Sequence, residues 1–168
     1  FEQGNSDVAI TLDLGAFTAE TVAQRFAVGD VDIAYYHAVG DQDGLRSRYV
    51  WSEQPSLYVG DDHPLGQRAR VDVRDMMLMR PVLLDAANPM RPLLERLLGK
   101  AGLDTSRPLM ESDDMIQLLN AVRGGLGYFA AFGPLARDFG KMDGIRRLPF
   151  VDPLPPIEIR QAVREDVE

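Results

Sequence analysis

The sequence predicts an α/β fold built from two lobes. Short apolar runs with the two-residue period of strands alternate along the chain with amphipathic segments that have the period of helices. The alternation begins again after a polar, glycine-containing stretch at 37–52 and a short apolar run at 55–60, and this restart indicates a second lobe. In the segment 111–132, a capped helix ends at a glycine pair and leads directly into an apolar strand, a unit typical of such a lobe.

The first lobe starts with a predicted strand, helix and strand. Apolar residues alternate with more polar ones over 8–14, as in a strand with one buried face. Thr18 is placed to cap a helix that ends near Gly29, and a second strand is predicted over 31–36. A strand, helix, strand unit of this length pairs its strands in parallel through a right-handed crossover. The polar stretch that follows is predicted as a loop.

The second lobe alternates shorter strands and helices. Its predicted strands cover 80–85, 109–110, 126–132 and 145–150, its predicted helices cover 88–101, 112–123 and 134–139, and a last strand over 157–163 follows the segment DPLPP. The first of these helices carries a stripe of four leucines, Leu93, Leu94, Leu97 and Leu98. Ser112 is predicted to cap the next helix, with Asp113 and Asp114 at its positive dipole end and Gly124 and Gly125 at its close.

The composition excludes several functions. A balance of 26 acidic against 18 basic residues gives a net charge of −8, which repels a phosphate backbone, so the chain by itself is a poor binder of DNA or RNA. The absence of cysteine excludes disulfides, thiolate zinc sites and a cysteine nucleophile. No apolar run is long enough to span a bilayer and the first residues lack a signal-peptide pattern, so we expect no membrane association and a cytoplasmic location.

No catalytic or cofactor motif has the context that its chemistry needs. Residues 125–130 match the letters of the dinucleotide motif G-x-G-x-x-A, but they follow a helix and open a strand, which reverses the required order. His63 stands beside Asp61 and Asp62, yet consecutive side chains cannot all converge on one metal ion. Because a phosphate loop and a nucleophile elbow are also missing, the sequence predicts a protein without cofactor, metal site or enzymatic activity.

Four stretches resemble one known family in their order and spacing. Residues 1–15 resemble its F-x-x-x-x-P-x-V followed by an alternating strand, and VGDVDIA at 28–34 resembles its G-x-[LV]-D-[LI]-A. The DHPL at 62–65 resembles the H-P-L after the first crossing between lobes, and 122–132 resembles V-x-x-G-x-G-[IY]. The chain therefore resembles the effector-binding, or regulatory, domain of LysR-type transcriptional regulators.

This resemblance implies the fold of the type 2 periplasmic binding proteins, in which two Rossmann-like lobes are joined by crossover strands. The first lobe would comprise 1–60 and 156–168, and the second lobe 61–155. The family's first strand and helix and its last helix would lie outside this sequence, so a domain trimmed at both ends is expected. Ser6 and Phe132 depart from the family, which often has proline at both positions.

The expected ligand site is the crevice between the lobes. Loops that leave the carboxyl ends of parallel strands meet the N-termini of helices, whose free N–H groups and dipole suit a small polar or anionic molecule. The candidate ligand-binding residues are Thr18, Tyr35, His37, Asn88, Met90, Arg91, Ser112 and Asp113. Arg91 is the residue expected to pair with a carboxylate. Tyr35 and Tyr36 point to opposite faces of a strand, so only one of them can line the crevice.

Plainer roles compete with these assignments. Helix capping alone would explain Asn88 and Ser112. Arg91 would be explained as a solvated side chain in a first helical turn, and His37 as an exposed side chain in the predicted polar loop.

The resemblance implies an effector-sensing domain of a bacterial transcription regulator. Its partners would be a small-molecule effector, DNA through a winged helix-turn-helix domain absent from this sequence, and a second copy in an antiparallel homodimer, with a tetramer for the full-length protein. The helices at 18–28 and 89–98 would form the dimer surfaces. Two alternatives stay open, a solute-binding protein of a transporter and an enzyme on the same fold, such as a dehydratase of aromatic amino-acid synthesis.

Overall fold

The structure is a computed structural model that describes residues 9–13, 15, 18–40 and 44–165. The helices and strands within these ranges are, in chain order, α1 (Ala19–Ala27), β1 (Ile33–Ala38), β2 (Ser47–Glu53), β3 (Ser56–Gly60), β4 (Val82–Leu84), α2 (Arg91–Lys100), β5 (Met110–Ser112), α3 (Met115–Arg123), β6 (Phe129–Ala131), α4 (Gly133–Phe139), β7 (Ile145–Arg147) and β8 (Ile157–Val163). A short 3₁₀ helix, Pro64–Gln67, follows β3. From α1 onward the predicted order of elements is confirmed, with β2 as an additional strand.

The first sheet has the strand order β1-β8-β2, and both pairings are antiparallel. Its central strand therefore comes from the end of the chain. Helix α1 packs on one face of this sheet and forms a small core with it, made of Ala19, Val22, Ala34, Tyr36, Ala38 and Ala162. Thr18 caps α1 as predicted, by accepting a hydrogen bond of 3.4 Å from the Thr21 N–H.

The strand predicted over 8–14 is wrong for the residues that the structure describes there. Residues 9–13 are exposed and belong to no strand, and the two end residues of the predicted strand lie outside the described ranges. An alternating pattern produces a strand only where a neighbour supplies the ladder of hydrogen bonds. The predicted parallel unit is therefore wrong as well: β1 pairs antiparallel with β8, and a single parallel bridge joins Thr18 to His37.

The loop predicted at 37–52 is also wrong, because it contains the end of β1 and most of β2. Every residue of β2 is exposed or half-buried, so the strand lacks the apolar alternation that would reveal it in the sequence. It forms because β8 offers a partner, with Arg48 opposite Gln161 and Trp51 opposite Ile159.

The second sheet has the order β6-β3-β7 with antiparallel pairings, and the parallel pair β4-β5 continues it. The junction is a parallel bridge between Pro81 and Tyr128, supported by a hydrogen bond of 2.8 Å from the Val82 N–H to the Tyr128 carbonyl. The parallel pairing predicted for 126–132 is correct only at this bridge. β6 itself is antiparallel to β3, the strand that follows β2 in the chain.

Helices α2 and α3 begin three residues later than predicted, at Arg91 and Met115. The predicted caps act before the helices: Asn88 Oδ1 accepts from the Met90 N–H at 2.9 Å, and Ser112 Oγ accepts from the Asp114 N–H at 3.0 Å. Such turns satisfy N–H groups in the loop and delay the first helical turn. The prediction of Ser112 as the cap of α3 is therefore wrong, because Asp114 fills that position.

The two sheets share one continuous core. Its largest cluster joins Val39 and Ile159 of the first sheet region to Leu57, Leu83 and Leu97 of the second. The four leucines predicted as a stripe on α2 all belong to this cluster and are at most 5% exposed. Since the stripe packs inside its own domain, it gives no support to a dimer surface.

Candidate functional site

The two sheets meet where β1 and β6 end. His37, the next-to-last residue of β1, lies edge to face against Phe132, which follows β6. Their ring centroids are 5.4 Å apart. Phe132 also packs against the shared core, and a parallel bridge joins His37 to Thr18 at the start of α1. His37 is half-buried within a strand, so its predicted place in an exposed loop is wrong. Three chain segments from both lobes therefore converge at this point.

The two neighbouring tyrosines of β1 divide between core and surface. Tyr36 is 1% exposed, and its hydroxyl donates to Ser47 Oγ at 2.9 Å. Tyr35 is 51% exposed and accepts a hydrogen bond of 2.6 Å from Gln161 Nε2. Because strand residues two apart share a face, Tyr35 lies on the same face as His37 and is the tyrosine that a ligand can reach.

The loops at the carboxyl ends of β4 and β5 lie side by side in the second lobe. The Asp85 N–H donates to the Ser112 carbonyl at 3.0 Å and joins the two loops. Asn88 closes a turn in the first loop, where its N–H donates to the Asp85 carbonyl at 2.9 Å. Several N–H groups that the sequence predicts to be free for an anion are thus satisfied within the loops.

Arg91 holds this pair of loops together from inside. It is 6% exposed, and each of its three side-chain nitrogens donates within the lobe. Nε donates to Glu95 (2.9 Å), Nη1 to the Leu84 carbonyl (2.5 Å) and Nη2 to Glu111 (2.7 Å). Burial alone would lower the pKa of Arg91, yet its hydrogen bonds with Glu111 and Glu95 outweigh burial and the pKa is raised. The side chain is buried, so the solvated role considered from the sequence is wrong. Its pairing with a ligand carboxylate stays a prediction, with which these internal partners compete.

The remaining candidates, Met90 and Asp113, differ in their exposure. Met90 is 9% exposed and belongs to the shared core, so it supports the loop instead of lining a crevice. Asp113 is exposed in the loop between β5 and α3. Two important residues were missed by the sequence assignments. The sequence prediction treats Phe132 only as a departure from the family's proline, although a large apolar residue directly after a buried strand indicates packing. No sequence pattern links Glu111 to Arg91, which lies twenty positions away.

Thr18, Tyr35 and His37 bring hydroxyl and imidazole groups to the junction, and the second-lobe loops carry amide, hydroxyl and carboxylate groups of the kind that bind a small polar molecule. Within the described ranges, no group of three histidine, aspartate or glutamate residues is arranged to hold a metal ion. His63 forms part of a turn, as predicted: its Nδ1 accepts from the Leu65 N–H at 3.2 Å at the start of the 3₁₀ helix, and burial lowers its pKa. No helix in the part of the chain described here combines the length and apolar character of a membrane span.

The sequence matches a family model described as the LysR substrate binding domain over residues 5–168. Among curated proteins, a probable RuBisCO transcriptional regulator of Cyanidioschyzon merolae is 29% identical over 131 residues, which make up 73% of this chain and 42% of that protein. This chain thus spans less than half the length of that curated relative.

Solved structures resemble the chain over nearly its whole length. The BenM effector binding domain with its effector benzoate superposes with a TM-score of 0.68 at 16% identity, covering 99% of this chain and 74% of that one. The effector binding domain of QuiR in complex with shikimate gives a TM-score of 0.70 at 14% identity, covering 98% and 77%. This likeness shows the fold and confirms the predicted two-lobed α/β class, the type 2 periplasmic-binding-protein fold.

Proposed function

Because the chain belongs to the family of LysR substrate binding domains, we propose that it is the effector-sensing part of a transcription regulator. A small metabolite binds between the two lobes and shifts the equilibrium between their open and closed arrangements. A separate domain outside this sequence binds DNA and responds to that shift. The domain itself senses its ligand and does not transform it.

The observation that carries this proposal is the contact of His37 with Phe132 at the junction of the two sheets. The His37 ring lies on β1 of the first sheet, and the Phe132 ring directly follows β6 of the second sheet. A ligand that inserts between the lobes must rearrange this contact. Binding is thereby linked to the relative position of the lobes, which is the requirement for a sensor.

We assign the ligand contacts to exposed or half-buried groups in both lobes, namely Thr18, Tyr35 and His37 at this junction and Asn88, Ser112 and Asp113 in the second-lobe loops. Arg91 and Met90 act as positioning residues that hold the second-lobe loops. A carboxylate-bearing metabolite is the proposed ligand class. The similar domains of BenM and QuiR, solved with benzoate and shikimate, support this choice.

We also propose the wider arrangement that the family implies. The lobes comprise 1–60 with 156–168, and 61–155. The strands of the first sheet all fall in the first set, although β3 of that set pairs within the second sheet. Two copies pair antiparallel, the full-length protein is a tetramer, and the regulator works in the cytoplasm.

A thermal-shift screen tests the sensing function. We expect members of a panel of small carboxylic acids, including benzoate and shikimate, to raise the melting temperature more than their matched amides, because a ligand that binds only the folded state stabilises it. His37→Ala is expected to weaken the effective acid by about tenfold or more, since one junction contact of about 1.4 kcal/mol is lost.

The second histidine of the chain provides the matched control. His63→Ala removes an imidazole from the 3₁₀ helix, outside the junction, and the ligand-induced shift should persist relative to that variant's own baseline. Shifts produced by amides but not by acids would contradict the ligand class. If no compound of either kind raises the melting temperature, or if both histidine variants lose the shift equally, the sensing proposal fails.

A further inference from the structure

An open groove of about 530 Å³ lies between the end of β2 and the start of α4. Its walls include Trp51 and Glu53 on β2 and Gly133 and Arg137 on α4, and Tyr58 lies between them. In the first sheet β2 and β1 are opposite edges, separated by β8, so Trp51 and Glu53 are two strand spacings away from Tyr35 and His37. The other wall begins at Gly133, which directly follows Phe132, the residue in contact with His37. The groove shares no lining residue with the candidate ligand contacts at the junction.

The aromatic surface of the groove comes from Trp51. This indole is 45% exposed, and its ring N–H donates to Glu53 Oε1 at 3.3 Å. The hydrogen bond orients the indole, and nearly half of this groove-lining residue remains exposed. An exposed, oriented aromatic ring is suited to stack on a flat apolar group or to attract a cation.

Two opposite charges line the groove, Glu53 on β2 and Arg137 on α4. The Glu53 carboxylate lies against Gly133, and a methyl group at that glycine would overlap it. Arg137 is four residues further along α4, on the same helical face and about 6 Å higher along the axis. Within the described chain, neither Glu53 nor Arg137 forms an ion pair.

Tyr58 contributes shape without a free polar group. It is 3% exposed, and its hydroxyl donates to the Ala136 carbonyl at 2.9 Å. Burial raises the pKa of Tyr58, so the hydroxyl stays protonated. The groove is also lined by Ser52 and Gln54, and its charged groups are the carboxylate of Glu53 and the guanidinium of Arg137.

We propose that this groove is a second ligand site, which binds a small zwitterion carrying a flat apolar group. The ammonium of such a molecule pairs with Glu53, its carboxylate with Arg137, and its ring stacks on Trp51. A ligand with only one charge would leave the opposite group of the groove without a partner. The site adjoins the junction at Gly133 but shares none of the ligand contacts that are assigned there.

The fluorescence of Trp51 tests the proposal directly, because this is the single tryptophan of the chain. The probe is phenylalanine, compared with phenethylamine, which lacks the carboxylate, and 3-phenylpropionate, which lacks the ammonium. We expect a saturable change in emission with phenylalanine. Both analogues should bind at least about tenfold more weakly, since each loses one charge-assisted hydrogen bond. Equal affinities for the three probes, or no saturable change at millimolar phenylalanine, would overturn the proposal.

Matched variants assign the two charges. Glu53→Gln and Arg137→Gln should each weaken phenylalanine by about tenfold. Asp138→Asn and Arg96→Gln make the same charge changes at exposed positions outside the groove and should bind as the unmodified chain does. Loss of phenylalanine binding in His37→Ala would assign the effect to the junction and overturn the second site. Retained binding in that variant supports the second site whether or not the sensing proposal survives.

Discussion

At the scale of single residues, Arg91 is the most informative side chain of the second lobe. It is buried at the start of α2 and bonds to β4 through the Leu84 carbonyl and to β5 through Glu111. A buried cation is tolerated only when it is paired and hydrogen-bonded, and these partners, together with Glu95, pair it. Arg91 therefore holds β4, β5 and the start of α2 together.

Replacing Arg91 is expected to affect folding more than ligand contact. Arg91→Ala removes three hydrogen bonds and leaves the Leu84 carbonyl without its side-chain donor, so we expect a loss of about 2–4 kcal/mol in the free energy of unfolding. Urea denaturation of both proteins measures this difference.

Arg96→Ala is the control for that experiment, because Arg96 is exposed on the same helix. It should change the free energy of unfolding by no more than about 0.5 kcal/mol. A destabilisation by Arg91→Ala as small as that of the control would contradict the role of Arg91 as an internal clamp.

At the scale of elements, helix ends depend on a few backbone positions. Gly125, just after α3, has a φ of 81°, as expected for a glycine that ends a helix. Gly124 is the C-cap and has a φ of −71°. Gly133 opens α4 with a φ of 59° and also makes room for the Glu53 carboxylate. A side chain at Gly133 would thus be strained at the backbone and would also displace the Glu53 carboxylate, which lies at the end of a flexible side chain.

Two glycine substitutions should have opposite effects on stability. Gly133→Ala is expected to lower the free energy of unfolding by about 1–2 kcal/mol, because alanine is strained at positive φ and its methyl group overlaps Glu53. Gly99→Ala, inside α2 where a methyl group meets open space, should raise it by about 0.5–1 kcal/mol through helix propensity.

Urea denaturation of the two alanine variants checks both signs. Adding Glu53→Ala to Gly133→Ala should recover the part of the loss that is due to overlap, but not the part due to the backbone. A neutral Gly133→Ala would show that the start of α4 tolerates an ordinary residue and would refute the close approach.

At the scale of the whole molecule, the charge separates sensing from DNA binding. The net charge of −8 opposes the approach of a phosphate backbone, so DNA binding requires a domain outside this sequence. We expect no binding of the chain to labelled duplex DNA at about 150 mM salt, measured by fluorescence anisotropy. Micromolar, salt-sensitive binding by this chain alone would contradict the proposed division of labour.

The topology of the whole molecule was only partly predictable. The sequence led correctly to two α/β lobes and to most second-lobe elements, because buried leucines, caps and glycines are local signals. It failed at β2, where the strand exists through pairing with β8, and at 8–14, where alternation has no paired strand in the described residues. Among the site candidates, Tyr35 and Thr18 behaved as their local context suggested, whereas His37 and Arg91 did not.

The sequence by itself determined which segments become helices, which residues enter the core and where glycine must end an element, since these depend on the few residues around each position. Only the tertiary structure decided the direction of strand pairing, the contact of His37 with Phe132 and the internal partners of Arg91. The physical reason is distance along the chain: Arg48 and Gln161 pair across 113 positions. Hydrogen bonds of that kind depend on how the whole chain packs, and no local pattern records them.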